Sequence, residues 1–270
     1  MRKAGQAMVI AAFALVGCSS PALPAATPTT NTVALRLQGT SATAPLLADL
    51  SLEYSQLYPN HVFLPGSGRY EVLVEQAQQG EIPYFISNHL PPDSALWAAP
   101  VGQDGIAVIV HPSNTLTNLT LPQLREIYQG QVTAWTALGG QDERIRVFSR
   151  EQGSGTRAEF ERLVMGERPP TKSALISPSN DAMLRSISSI PGSIGYISMG
   201  YLQPSVKPLM VEGISVNPQN VYNNSYPLRS TLFVVGLNEP LGEYRALIAW
   251  IQSPDGQAVV ARRYAPLLQP

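Results

Sequence analysis

The residues best suited to chemistry lie together between positions 145 and 165, IRVFSREQGSGTRAEFERLVM. Arg150 offers a planar array of N–H donors that matches the oxygens of a carboxylate, phosphate or sulfate. Ser154 and Thr156 add hydroxyls, while Gly153 and Gly155 let the backbone approach a ligand closely. Alternation over residues 145–149 reads as a strand, and Phe160, Leu163 and Val164 recur at helical spacing. The turn between them therefore falls at a helix N-terminus, where unpaired N–H groups and a partial positive charge attract anions. The letters GSGT describe an ordinary helix cap equally well. A small-oxyanion site and a plain cap both fit this stretch taken alone.

Catalytic patterns are missing from the sequence. No serine occupies a Gly-x-Ser-x-Gly elbow, and no Gly-x-x-x-x-Gly-Lys-Ser/Thr loop is present. His61, His89 and His111 share no metal-ligand spacing. No base, nucleophile and orienting group assemble, so the expectation is a non-enzyme with neither metal nor cofactor. His89 reads as a solvated turn residue, and His61 and His111 read as loop residues. Arg157, in the first helical turn, is either a second anion contact or a surface residue bridging to Glu161, and reads as the latter.

Ahead of the fold, Arg2 and Lys3 precede an apolar run over residues 8–16 that is too short to span a bilayer. Leu15-Val16-Gly17-Cys18 then resembles a bacterial lipobox, so residues 1–17 read as a signal peptide and Cys18 as the lipidated new N-terminus. The plainer alternative is a buried apolar cysteine in a helix. As the only cysteine in the chain, Cys18 excludes an internal disulfide framework. Residues 18–32, uncharged and holding three prolines, read as a disordered tether. The whole chain has 18 Lys+Arg against 19 Asp+Glu; losing Arg2 and Lys3 moves the net charge from −1 to −3. That balance offers no nucleic-acid footprint. The expectation is an exported globule, tethered to a bacterial membrane on its periplasmic or cell-surface side.

The elements that must position the candidate site alternate between strand and helix. A strand over residues 33–38 ends in GTSATAP, followed by a helix in which Leu46, Leu47, Leu50, Tyr54 and Leu57 recur. A short strand over 61–65 ends in Gly66-Ser67-Gly68, which opens a helix over 69–79. A third strand, 84–87, ends in Asn88-His89. Residues 104–110, DGIAVIV, read as a buried strand. Helices follow at 121–128 and 181–190, strands at 194–199, 206–211 and 228–235, and a helix over 240–263 broken near Pro254. This order predicts an open α/β sheet whose ligands sit off the carboxyl ends of the strands.

Several segments in order, GTSATAPL (39–46), GSGRYEVL (66–73), DGIAVIVHPSN (104–114), NLTLPQLREIYQGQVTAWTALGG (118–140), SREQGSGTRAEFE (149–161), PGSIGYISMG (191–200) and YPLRSTLFVV (226–235), carry a resemblance. Together they resemble the PstS-type phosphate-binding proteins of ABC phosphate importers. The resemblance implies a type 2 periplasmic-binding-protein fold: two α/β lobes, each an open mixed sheet flanked by helices, joined by two crossing strands. Lobe 1 would combine residues 33–106 with 228–270, and lobe 2 would be 107–227. It also implies a phosphate site made of Ser41, Ala42, Ser67, Asn88, Arg150, Ser154, Gly155 and Thr156. Its partners would be inorganic phosphate, permease subunits and, through Cys18, the membrane, with the protein acting as a monomer. The alternatives are a binding protein for another oxyanion such as sulfate, or an anion-liganded sensor or adhesion protein that feeds no transporter.

Two departures from the family pattern bear on selectivity. Asn88 stands where better-studied members have an aspartate that accepts the proton of the bound phosphate. An amide can accept that proton but can also turn its NH₂ toward a bare oxygen. Gln152 stands where some members have an acid paired with the arginine, which leaves Arg150 either another partner such as Glu151 or none.

Overall fold

The structure is a computed structural model, and it describes residues 32–268 apart from residue 167. The signal peptide, Cys18 and nearly all of the tether lie outside the described residues. The chain runs β1 (Val33–Leu35), β2 (Leu37–Thr40), α1 (Ala44–Leu57), β3 (His61–Phe63), β4 (Gly66–Gly68), α2 (Tyr70–Gln78) and β5 (Tyr84–Ser87). The long strand β6 (Trp97–Val110) follows, then β7 (Asn118–Leu119), α3 (Leu121–Tyr128), β8 (Arg146–Arg150), α4 (Gly155–Phe160), β9 (Leu175–Ser177), α5 (Asn180–Ser189) and β10 (Ser193–Ser198). The last elements are β11 (Lys207–Pro208), β12 (Met210–Val211), α6 (Pro218–Tyr222), β13 (Arg229–Gly236), α7 (Gly242–Gln252) and α8 (Pro254–Val260).

A mixed sheet of nine strands organises the molecule, in the order β4-β2-β5-β13-β6-β10-β8-β9, with β11 also on β6. Its parallel pairs lie toward the two ends, and antiparallel pairs join β5, β13, β6 and β10 in the middle. The strand β6 changes partner along its length. Residues 97–105 face β13, whereas residues 106–110 face β10. Five consecutive apolar residues, Ile106 to Val110, are fully buried there, which is why this stretch lacks the alternation of a half-exposed strand. The chain crosses back just before β13, where Leu228 accepts a bond from the Ile106 N–H and Tyr226 donates its hydroxyl to the Ile106 carbonyl.

Local chemistry explains the helix starts. Thr120 and Gln123 close a reciprocal capping box on α3, and Ser179 and Asn217 cap α5 and α6 through their side chains. Pro45 sits in the first turn of α1, as its fixed φ favours. The α7–α8 break falls at Ser253-Pro254, because proline cannot continue the preceding helix and Ser253 caps the next.

The structure corrects three of the sequence expectations. Gly66–Gly68 is an edge strand on β2, not the opening turn of a helix. The buried strand of 104–110 begins seven residues earlier, at Trp97. His61 opens β3, as the strand expected over 61–65 implies and against its reading as a loop residue, and its Nε2 lies 3.0 Å from Glu243.

Candidate anion-binding site

Six strand carboxyl ends converge, three from each half of the sheet. Those of β2, β4 and β5 bring Ser41, Ser67 and Asn88; those of β8, β9 and β10 bring Arg150, Ser179 and Tyr201. Between them lies a cavity of about 240 Å³ whose lining includes Ser41, Ser67, Arg69, Glu151, Ser154 and Ser179. This is smaller than the usual pocket for a drug-sized ligand and suits a small ion.

Arg150 is the keystone. Its side chain is wholly buried, which is affordable for a charge only with partners. Nε and Nη2 grip the two carboxylate oxygens of Glu151 at 2.8 and 2.9 Å. Nη2 also donates to Ser41 Oγ at 2.9 Å, reaching from one half of the sheet to the other, and Nε donates to the Ser177 carbonyl. Nη1 is buried with no hydrogen-bond partner among the described residues. An unpaired guanidinium donor inside a protein costs stability, and an oxyanion would satisfy it. An aromatic stack fixes the backbone beneath. Phe160 lies flat on Tyr196, with centroids 4.0 Å apart, and the Tyr196 hydroxyl accepts from the Arg150 N–H. Arg157 braces the same residue by donating to the Arg150 carbonyl at 2.9 Å while pairing with Glu161 at 2.7 Å.

Helix α4 presents its first turn here. Ser154 caps it by accepting from the Arg157 N–H, which leaves the serine O–H free to donate. Capping and ligand contact are therefore compatible at one residue. The N–H groups of Gly155 and Thr156 precede the first intrahelical bond, from Ala158 to Ser154, and remain available as donors. Thr156 accepts from Asn88 Nδ2 at 3.3 Å, and Thr40 donates to Asn88 Oδ1 at 3.4 Å. Asn88 thus bridges the two halves behind the cavity. A side chain at Gly155 would stand 2.6 Å from Asn88 Oδ1, so only glycine allows this approach.

On the facing side, the Ser41 carbonyl accepts from Asn180 Nδ2 at 3.1 Å and from the Tyr201 hydroxyl at 2.8 Å. The Ala42 carbonyl accepts from the Tyr264 hydroxyl. These bonds lock the peptide plane after Ser41 and direct the Ala42 N–H the opposite way. Ser41, Ser67, Ser154 and Gly155 line the cavity itself, whereas Ala42, Asn88, Arg150 and Thr156 are buried immediately around it. All eight residues are thus brought to one place. Sequence reasoning missed Arg69, Ser179, Asn180 and Tyr201. A cap signature, Ser179-Asn180-Asp181 before a helix, was readable, but Tyr201 meets Ser41 across 160 positions and carries no local signal.

His89 is not a solvated turn residue. Its Nδ1 lies 2.8 Å from Glu159, whose carboxylate also takes two bonds from Arg162. Burial works to raise the Glu159 pKa, but the hydrogen bonds from His89 and Arg162 outweigh it and hold the carboxyl below the usual value. No group of three or more His, Cys, Asp or Glu side chains among the described residues could hold a metal.

This geometry has counterparts. The family model of the PBP superfamily domain matches residues 25–255. The chain belongs to the PBP superfamily. Its architecture is the type 2 fold of that superfamily, mixed sheets flanked by helices. The phosphate-binding protein PstS of Bacillus subtilis (strain 168) is 26% identical over 242 residues, covering 86% of this chain and 80% of the relative. A chain from Clostridium perfringens, described as a phosphate ABC transporter substrate-binding protein and solved with bound phosphate, superposes with a TM-score of 0.82 at 28% identity. That superposition covers 87% of this chain and 100% of the other. An ABC-type phosphate transport receptor from Vibrio cholerae gives a TM-score of 0.70 at 26% identity, covering 87% and 100%.

Proposed function

We propose that this chain is the substrate-binding protein of an ABC transporter, capturing inorganic phosphate outside the cytoplasm and passing it to permease subunits. The observation that carries this reading is the fully buried Arg150, with one unsatisfied guanidinium nitrogen, at the meeting point of six strand ends. The phosphate in the Clostridium perfringens relative supports it. Arg150 supplies a directed donor, Ser41, Ser67, Ser154 and Thr156 supply hydroxyls, and Ala42 and Gly155 supply backbone N–H groups. A dehydrated phosphate exchanges its water for these donors, and no bond is made or broken.

The two halves act as lobes, 33–106 with 228–270 and 107–227, that hinge along the crossing segments and close on the ion. Arg150 to Ser41 and Asn88 to Thr156 are the bonds that closure makes. Signal cleavage before Cys18 and lipidation of that cysteine would hold the protein at the membrane; mass spectrometry of membrane-extracted protein tests this by showing a diacylated Cys18 terminus.

A second reading, binding of sulfate or another oxyanion, is favoured by one observation. Asn88, engaged on both sides by Thr40 and Thr156, is an amide and does not penalise a ligand lacking a proton. Competition between phosphate and sulfate for the purified protein separates the two, since sulfate displaces phosphate at comparable concentration only in the second reading.

A further inference from the structure

The charge of Arg150 is not available to a ligand in full, because Glu151 meets it with both carboxylate oxygens. This pair sums to zero beside the cavity. One more charged residue lines the same cavity, Arg69, at the end of the Ser67 strand and the start of α2. Its side chain is exposed and makes no hydrogen bond or ion pair among the described residues. Its stem nevertheless crosses toward the opposite half: a side-chain carbon placed on Gly153 would stand 3.4 Å from Arg69 Cδ. A cation here is also badly placed for α2, whose N-terminus carries partial positive charge. Glu71 in the same first turn offsets part of this, but its Oε2, 2.6 Å from that same carbon on Gly153, lines the neighbouring pocket and not this cavity. An anion in the cavity would reverse that penalty, and it is the partner Arg69 otherwise lacks.

We infer that Arg69 is a further anion-contacting residue of this cleft, supplying the net positive charge that the Arg150–Glu151 pair does not and closing over a doubly charged oxyanion from the mouth. The inference rests on the phosphate reading above. Arg69 draws the ion in from solution and holds it from outside, while Arg150 orients it from within. Because Arg69 faces water, its contribution is screened by salt, unlike that of the buried pair.

The test is calorimetric titration of inorganic phosphate into the full chain, wild type against Arg69→Gln and Arg69→Lys, at low and at high sodium chloride. The expected result is roughly tenfold weaker binding for Arg69→Gln at low salt, as for loss of one exposed charge-assisted contact. Its salt dependence should also be flatter than that of the wild type, and Arg69→Lys should restore most of both. An unchanged melting temperature would confirm that the loss is local. Wild-type affinity and salt dependence in Arg69→Gln would overturn the inference while leaving the phosphate reading intact. Failure of the wild type itself to bind phosphate would overturn both.

Discussion

Arg150 does three jobs with one guanidinium: it neutralises Glu151, ties Ser41 across the cleft and keeps Nη1 unspent. A lysine can carry the charge but not this fork. Arg150→Lys should therefore weaken phosphate binding by roughly 10–100-fold, read by calorimetry, with the far-UV circular dichroism unchanged. The stretch around Arg150 was legible as an oxyanion candidate, but the same letters fit an ordinary helix cap, and the full set of eight came from the family resemblance rather than from residue types. Gln152 left Arg150 either Glu151 or no partner, and the structure pairs it with Glu151; the Arg157–Glu161 bridge followed from helical spacing, but Arg157 is half-buried and also donates to the Arg150 carbonyl. His89 was misjudged. Its partner Glu159 is 70 positions away, and no local pattern announces a contact between two halves of a fold.

Elements differ in how far their own sequence makes them. The helix α3 announces itself through Thr120-Leu121-Pro122-Gln123, a cap, a proline and a reciprocal glutamine. Thr120→Ala should cost about 1 kcal/mol of stability and leave phosphate affinity unchanged, in denaturant melts and titrations on one sample. Ser154→Ala should cost a similar amount, because Ser154 caps α4, but should weaken binding as well. Equal affinities in the two variants would mean that Ser154 is only a cap. The strand β4 is the opposite case: Gly66–Gly68 has no strand propensity and is held by pairing with β2. The early part of β6 was hidden for a related reason, since Pro100 and Gly102 interrupt its pattern. Helix α4 passes into a π-helical turn over Glu161–Met165 and ends at Gly166, a distortion next to the site that spacing does not predict.

At the scale of the whole molecule, the junction between the halves carries a buried acid. Asp104 lies on β6 beside the change of partner, with one oxygen accepting from Ser198 and the Met199 N–H and the other unpartnered. Burial pushes its carboxyl from 3.8 up to about 8. The folded chain therefore keeps a proton that the unfolded chain releases, so stability falls as pH rises from about 4 to about 8. Asp104→Asn should flatten this slope and gain on the order of a few kcal/mol relative to wild type at pH 8, with little difference near pH 4. Parallel melting curves for both proteins across that range would refute the assignment. The α/β order and the turn-rich strand ends were readable in the chain, but the partner change at Gly105–Ile106 depends on pairings more than eighty residues apart, so a boundary there came only from the family resemblance. The account as a whole stands on the cleft as an oxyanion trap. Titrating phosphate and then sulfate into the protein by calorimetry, across pH 5 to 9, tests it most directly. The account predicts saturable phosphate binding in the micromolar range or tighter, at one ion per chain; an absence of phosphate binding throughout would contradict it.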